Sequence, residues 1–216
     1  MNPYENIGIC FLSKLDYLVR RKDLKTKDSL FKVLHDIRLR KEHHLGLYVA
    51  NQIGLGDESF FYTYWDKIPV NLLVDEETKH PFGSYNKGND LFKDLMVSRT
   101  EMGAWQAFLL WMSPTVLPLF WHGGYIRRIY FFDRGHFECP PSMWDGQRPI
   151  DLMIEKIPQP TVTMEGEKAV VTCPYWNNWE GLVLESVPVY FKADGSATIR
   201  RAKHKVLYKY DCGICY

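Results

Sequence analysis

The sequence predicts an α+β fold in which helices come first and a mainly antiparallel sheet follows. Apolar residues recur at helical spacing in segments 5–21, 28–40 and 91–112, and strand-like segments separated by turn residues dominate from residue 125 onward. A chain of 216 residues is also long enough to bury a core that folds without disulfides or metal. We expect one domain over residues 1–216, and an internal boundary, if there is one, in the polar loop 75–89.

The N-terminal region predicts a helical hairpin. Its apolar residues follow a helical period from Glu5 to Arg21 and again from Asp28 to Arg40. The short joint at residues 22–27 favours two antiparallel helices. This region is the most basic part of the chain, which is typical of a solvated helix face. The alternative is a docking surface for an acidic partner.

A long central helix is predicted next, packed on the sheet. Strand-like segments at 45–51, 59–65 and 70–74 precede it, and Asn89-Asp90 supplies N-cap residues before the apolar pattern of 91–112. Pro114 ends the pattern. A capping-box motif at 98–101 leaves open that this region is two helices end to end.

The apolar run Gly103–Trp121 has the length of a marginal membrane span. Pro114 and Pro118 interrupt its second half, where the hydrocarbon would leave backbone groups unsatisfied. We therefore expect no transmembrane span.

The C-terminal half predicts an antiparallel β-meander. Residues 125–132 and 148–157 are strand-like, and 161–164 with 169–173 form a hairpin around a Glu-Gly-Glu-Lys turn. A last hairpin joins the alternating segment before Ala193-Asp194-Gly195-Ser196 to the extended segment 197–210.

Composition bounds the function. The formal net charge of +1 gives no strong nucleic-acid signature, since such domains usually carry a clear basic excess. Five cysteines are an odd number, and the opening Met-Asn-Pro-Tyr-Glu lacks the basic and apolar regions of a signal peptide. We therefore expect a cytoplasmic protein with unpaired thiols.

Two short pairs of metal-binding residues predict a zinc site. His136 and Cys139 form a His-x-x-Cys pair, and Cys212 and Cys215 form a Cys-x-x-Cys pair. Two such pairs on adjacent loops would complete a tetrahedral Cys₃His site for Zn²⁺. The alternative is that these thiols are buried or idle.

The same region resembles an enzyme family. His136-x-Glu138 followed by Cys212-x-x-Cys215 is similar to the zinc signature of the cytidine deaminases, although Asp211 stands where that family has a proline. The resemblance implies His136, Cys212 and Cys215 as zinc ligands and Glu138 as the catalytic acid/base. Cys-Gly-x-Cys also resembles the thioredoxin active site, which implies a redox-active dithiol.

An aromatic, asparagine-rich segment predicts a binding surface. Trp and Tyr on a polar loop are typical of interface hot spots and also stack on sugars or bases. The alternative is that its tryptophans belong to the core. The segment consists of Tyr175, Trp176, Asn177, Asn178 and Trp179.

Two functional hypotheses follow. The first is a non-enzymatic protein that binds another protein, as an inhibitor, an immunity-type toxin neutraliser or a regulatory subunit. It follows from a full-sized core and aromatic loops without a complete catalytic constellation. The second is a zinc-dependent, deaminase-like hydrolase that uses His136, Glu138, Cys212 and Cys215.

Overall fold

The computed structural model describes residues 2–21, 24, 26–49, 59–65, 86–88, 90–117, 128–130, 157–200 and 203–210. The α-helices within these ranges are α1 (Pro3–Arg20) and α2 (Glu101–Met112). Short 3₁₀ helices cover Asp28–Lys32, Asp90–Asp94 and Ser113–Thr115. The strands are β1 (Ile37–Leu39), β2 (His43–Tyr48), β3 (Phe60–Trp65), β4 (Asn86–Lys87), β5 (Leu95–Val97), β6 (Ile129–Tyr130), β7 (Thr161–Glu165), β8 (Lys168–Asn177), β9 (Gly181–Phe191), β10 (Ala197–Ile199) and β11 (His204–Tyr208).

All described strand pairs are antiparallel. The largest sheet has the order β10-β9-β8-β6, with β11 also paired to β9 and β7 also paired to β8. A second sheet has the order β2-β3-β4, and among the described strands β1 and β5 form a two-stranded sheet. The combination of helices with antiparallel sheets agrees with the α+β class at this coarse level.

The helix α2 lies inside the hydrophobic core. Every residue from Gly103 to Leu110 is buried, and Trp105 and Phe108 are fully enclosed and stack on each other. A helix that is apolar on all sides is stable only when it is covered on all sides. Helix α1 supplies part of that cover through Phe11, Leu15 and Leu18.

The predicted helical hairpin is wrong. Its first helix is present as α1, but the segment 28–40 forms a 3₁₀ helix over Asp28–Lys32 and then β1. Both ends of this segment bond to distant backbone instead of continuing a helix. Asp28 Oδ1 accepts the N–H of Leu45 at 2.7 Å, and β1 pairs with β5. Tertiary hydrogen bonds therefore override a helical period that is only a weak prior.

The predicted long central helix is also wrong. Residues 90–97 form a 3₁₀ helix and β5, and only Glu101–Met112 is α-helical. The helix begins at Glu101, and its N-cap is Thr100, whose hydroxyl accepts the N–H of Gly103 at 2.9 Å. The cap therefore lies inside the motif predicted at 98–101 but not at its first residue. Both errors have one cause, because β1 and β5, each predicted as helix, are strands that pair with each other.

Other predictions fall partly outside the described residues. The hairpin predicted at 161–173 is present as β7 and β8. The strand-like segments 70–74 and 148–157 lie outside the described residues, apart from Ile157. No helix in the described part of the chain is both long and apolar enough to cross a membrane.

A substitution at Gly181, at the start of β9, tests how closely β11 approaches the turn between β8 and β9. The φ of Gly181 is +86°, and an added Cβ would clash with Tyr208 O and lie 2.7 Å from Tyr210 N. We expect Gly181→Ala to lower the free energy of unfolding by more than about 3 kcal/mol, because backbone strain and a backbone clash add. Urea unfolding measures this loss.

The matched control is Gly166→Ala. Gly166 has a similar φ of +65°, but no atom lies within 4 Å of the added Cβ. This variant should lower the free energy of unfolding by only about 1–2 kcal/mol, which is the cost of the left-handed backbone alone. Equal losses at the two glycines would contradict the close packing of β11.

Candidate functional site

The turn that joins β8 to β9 is held by its own side chains. Asn177 Oδ1 accepts the backbone N–H groups of Trp179 at 2.9 Å and Glu180 at 2.7 Å. Asn177 Nδ2 donates to Glu180 Oε2 at 2.8 Å, and the Tyr175 hydroxyl donates to the same oxygen at 3.1 Å. The turn is therefore fixed by contacts within residues 175–180, as expected for an Asx-type turn.

The predicted aromatic segment divides into a buried part and an exposed part. Tyr175 and Trp176 are in β8 and are buried, and the Trp176 ring packs on Tyr210 with 4.8 Å between centroids. Trp176 Nε1 donates to Asn178 Oδ1 at 3.0 Å. The side chain of Trp179 is 43% exposed. The segment thus has a buried part, Tyr175 and Trp176, and an exposed residue, Trp179.

A buried ion pair lies next to this turn. Arg128 Nη1 donates to Glu185 Oε2 at 2.7 Å, and their side chains are 10% and 2% exposed. The same nitrogen donates to the Tyr130 hydroxyl at 3.1 Å, and that hydroxyl is 3.3 Å from Glu185 Oε2. The guanidinium carbon is 4.3 Å from the ring centroid of Tyr175, which gives a cation–π contact. The cluster connects β6, β8 and β9.

The cluster shifts the pKa of its tyrosines and of its arginine. Burial raises the pKa of Tyr130 well above its ordinary value, and the Glu185 carboxylate raises it further. Burial also raises the pKa of Tyr175. For Arg128 burial opposes the charge, but Tyr130 and Glu185 outweigh it, so its pKa is raised. The arginine therefore stays charged and the tyrosines stay neutral near neutral pH.

A cavity of about 460 Å³ opens beside the cluster. Helix α1 forms one wall, and residues after α2 and along β6 form the others. Its polar lining residues among those described are Asp16, Arg128, Tyr130 and Asn178. Sequence reasoning missed this site, because Arg128 and Glu185 are 57 positions apart and no local pattern links them.

The adjacent histidines His43 and His44 lie on strand β2, where neighbouring side chains point to opposite faces. His43 Nε2 is 3.4 Å from Asp94 Oδ1, and His44 Nδ1 is 2.7 Å from Asp28 Oδ2. Each ring is paired with a different aspartate. The two histidines therefore do not converge on one ligand.

The residues of the predicted zinc site lie outside the described residues. These are His136, Glu138, Cys139, Cys212 and Cys215. Within the described ranges, no group of three His, Cys, Asp or Glu side chains is arranged to hold a metal ion. Of the cysteines that are described, Cys10 is exposed and Cys173 is buried. The zinc site and the deaminase-like reading stay predictions.

No protein-family model, curated protein or solved structure matches the chain. Functional inference therefore rests on the geometry of the turn, the ion pair and the cavity.

The first prediction for this site concerns the buried ion pair. Glu185→Ala leaves the Arg128 guanidinium buried without a counter-ion, so we expect a loss of about 3–5 kcal/mol in the free energy of unfolding. The double variant Arg128→Leu/Glu185→Leu removes both charges and should lose at least about 2 kcal/mol less than the single variant. Chemical denaturation measures both values.

An exposed ion pair supplies the control. Glu167 is 3.5 Å from Arg99, and their side chains are 81% and 53% exposed. Glu167→Ala should cost less than about 1 kcal/mol. If Glu185→Ala costs no more than Glu167→Ala, the buried pair does not stabilise this end of the sheet.

The zinc hypothesis has its own measurement. It predicts stoichiometric zinc in wild-type protein purified without chelator, and loss of that zinc in Cys212→Ser/Cys215→Ser, because thiolates hold the metal. Elemental analysis detects it, and Cys10→Ser should keep the metal. Metal-free wild-type protein would remove both the zinc site and the deaminase reading.

Proposed function

We propose that the protein acts by binding another protein through the surface around the turn between β8 and β9. The observation that carries the proposal is the indole of Trp179, which is 43% exposed on a turn fixed by four hydrogen bonds from the side chains of Asn177, Glu180 and Tyr175. Tryptophan is among the residues most enriched in interface hot spots. A turn that is ordered before binding loses less conformational entropy when a partner covers it.

A second exposed apolar residue extends this surface. Ile129 in β6 is 42% exposed and is paired with Trp176 of β8. Ile129 and Asn178 line the same cavity, and Trp179 follows Asn178 in the chain. Two large apolar side chains beside a concave site are typical of the centre of a protein interface.

Protein is favoured over nucleic acid as the partner. Within residues 175–180 the only ionisable groups are Tyr175 and Glu180, and Glu180 is an acid. Surfaces that stack bases combine aromatic rings with a positively charged groove, and the chain as a whole has a net charge of only +1. An inhibitor, an immunity-type neutraliser and a regulatory subunit all fit this proposal. The residues of the deaminase-like alternative lie outside the described part of the chain.

The proposal predicts the effect of Trp179→Ala. Partner proteins captured from the source organism by the wild type are identified by mass spectrometry, and the main one is purified for titration. We expect the variant to bind it roughly 30-fold more weakly, because hot-spot truncations cost about 2 kcal/mol or more. The free energy of unfolding should change by less than about 1 kcal/mol, because the indole is exposed.

Tyr190→Ala is the matched control. Tyr190 is another exposed aromatic residue, 37% exposed, on β9 and away from the turn. Its removal should leave partner affinity unchanged. Capture of the same partner with equal affinity by Trp179→Ala, or failure of the wild type to capture any, would contradict the proposal.

A further inference from the structure

Most of the described residues that line the cavity beside the ion pair are aliphatic. Its volume of about 460 Å³ falls within the range of roughly 300–1,000 Å³ that is common for small-molecule sites. These aliphatic side chains come from α1, from the segment after α2 and from β6, and all of them are buried or half-buried except Ile129, which is exposed. They are Leu12, Leu15, Val19, Val116, Leu117 and Ile129.

Arg128 lines this cavity, and some of the hydrogen-bond donors of its guanidinium are not used within the described part of the chain. Nη1 makes both of its hydrogen bonds, to Glu185 and to Tyr130. Nε and Nη2 donate to no residue in the described part of the chain, although the side chain is only 10% exposed. Three N–H groups of a buried cation therefore remain for a ligand, in the planar arrangement that matches two acceptor oxygens.

Asn178 adds a second source of donors to the same cavity. Its Oδ1 accepts from Trp176 Nε1 at 3.0 Å, which fixes which side of the amide carries the oxygen. Its Nδ2 donates to no residue among those that the structure describes. The uncommitted polar groups of Arg128 and Asn178 are thus all donors.

We propose that this cavity binds an aliphatic carboxylate, with the carboxylate at Arg128 and Asn178 and the hydrocarbon chain against the aliphatic walls. A carboxylate supplies two equivalent acceptor oxygens for the donors, and its bonds to a guanidinium are charge-assisted. The walls bury the apolar part, which adds the hydrophobic contribution to affinity. The inference does not depend on the proposed protein partner.

The charges around the site favour a head group with one negative charge over a head group with two. Glu185 already balances the charge of Arg128, and it is bonded only through Oε2 on the side of Nη1. The acidic lining residue Asp16 is paired with Arg20 at 3.0 Å. Because Arg128 is already balanced, a bound carboxylate leaves one net negative charge at the site and a doubly charged phosphate leaves two, and burying unbalanced charge is costly.

The test measures binding of octanoate to the full chain by isothermal titration calorimetry. Methyl octanoate keeps the hydrocarbon chain of octanoate and blocks the carboxylate, and octylamine has a chain one carbon longer with an amine in place of the carboxylate. We expect octanoate to bind at least roughly tenfold more tightly than either, since hydrogen bonds to a charged group are worth about 1.5–3 kcal/mol. Equal affinity for the acid and the ester would overturn the proposal. So would absence of octanoate binding, if a peptide that ends in leucine also shows no preference for its free acid over its C-terminal amide.

A short peptide that ends in leucine distinguishes the source of the carboxylate. Preference for the free acid of this peptide over its C-terminal amide would identify a chain terminus as a ligand of the same chemistry. Binding of octanoate alone would identify a free small molecule. If neither acid binds better than its neutral counterpart, the proposal is wrong.

Variants locate the ligand within the cavity. The variant Arg128→Leu/Glu185→Leu removes the donors together with their counter-ion, and Val19→Phe fills the cavity without touching the donors. Both should weaken octanoate binding at least roughly tenfold, and circular dichroism checks that each variant is folded. If the double variant does not fold, Asn178→Ala and Val19→Phe carry the test.

Controls separate this inference from the proposed function. Arg99→Leu removes an exposed arginine and should leave octanoate binding unchanged. Trp179→Ala should also leave it unchanged while it weakens partner binding. Octanoate binding that survives both the double variant and Val19→Phe would place the ligand elsewhere and overturn the proposal.

Discussion

The pairing of β8 with β9 is the constraint on which the rest of the site depends. The register runs from Lys168 opposite Tyr190 to Asn177 opposite Gly181. It places Glu185 opposite Cys173 and closes the turn that carries Trp179. Because a slip of one residue would move every side chain to the other face of the sheet, the buried carboxylate and the exposed indole are fixed by the same pairing.

The ion pair connects the hairpin of β8 and β9 to the short strand β6. Arg128 precedes β6, a strand of only two residues that pairs with Tyr175 and Trp176. Its bond to Glu185 crosses from β6 to β9 over the ring of Tyr175. The pair uses only Oε2 of Glu185 and only Nη1 of Arg128, so part of the guanidinium keeps its hydrogen-bond donors. The contact that holds the short strand is therefore also the one that leaves donors for a ligand in the cavity.

The errors in the predicted fold come from segments whose partners are distant. Residues 37–39 and 95–97 have apolar patterns that suit a helix, and they become strands because they bond to each other. Among the site residues, the position of the aromatic segment was predictable from composition. Its division into a buried part and an exposed part was not. Trp176 and Trp179 have the same side chain, and only the alternation of β8 and the turn after it separates core from surface.

The sequence by itself determined the elements whose signals are local. These are α1 with its helical period, the hairpin of β7 and β8 around its glycine turn, and the end of α2 before Pro114. The tertiary structure alone decided the pairing of β1 with β5, the burial of Arg128 with Glu185 and the cavity beside them. The physical reason is that periodicity and turn chemistry act over a few residues. Strand pairing and charge burial depend on which distant segments meet, and no local pattern encodes that choice.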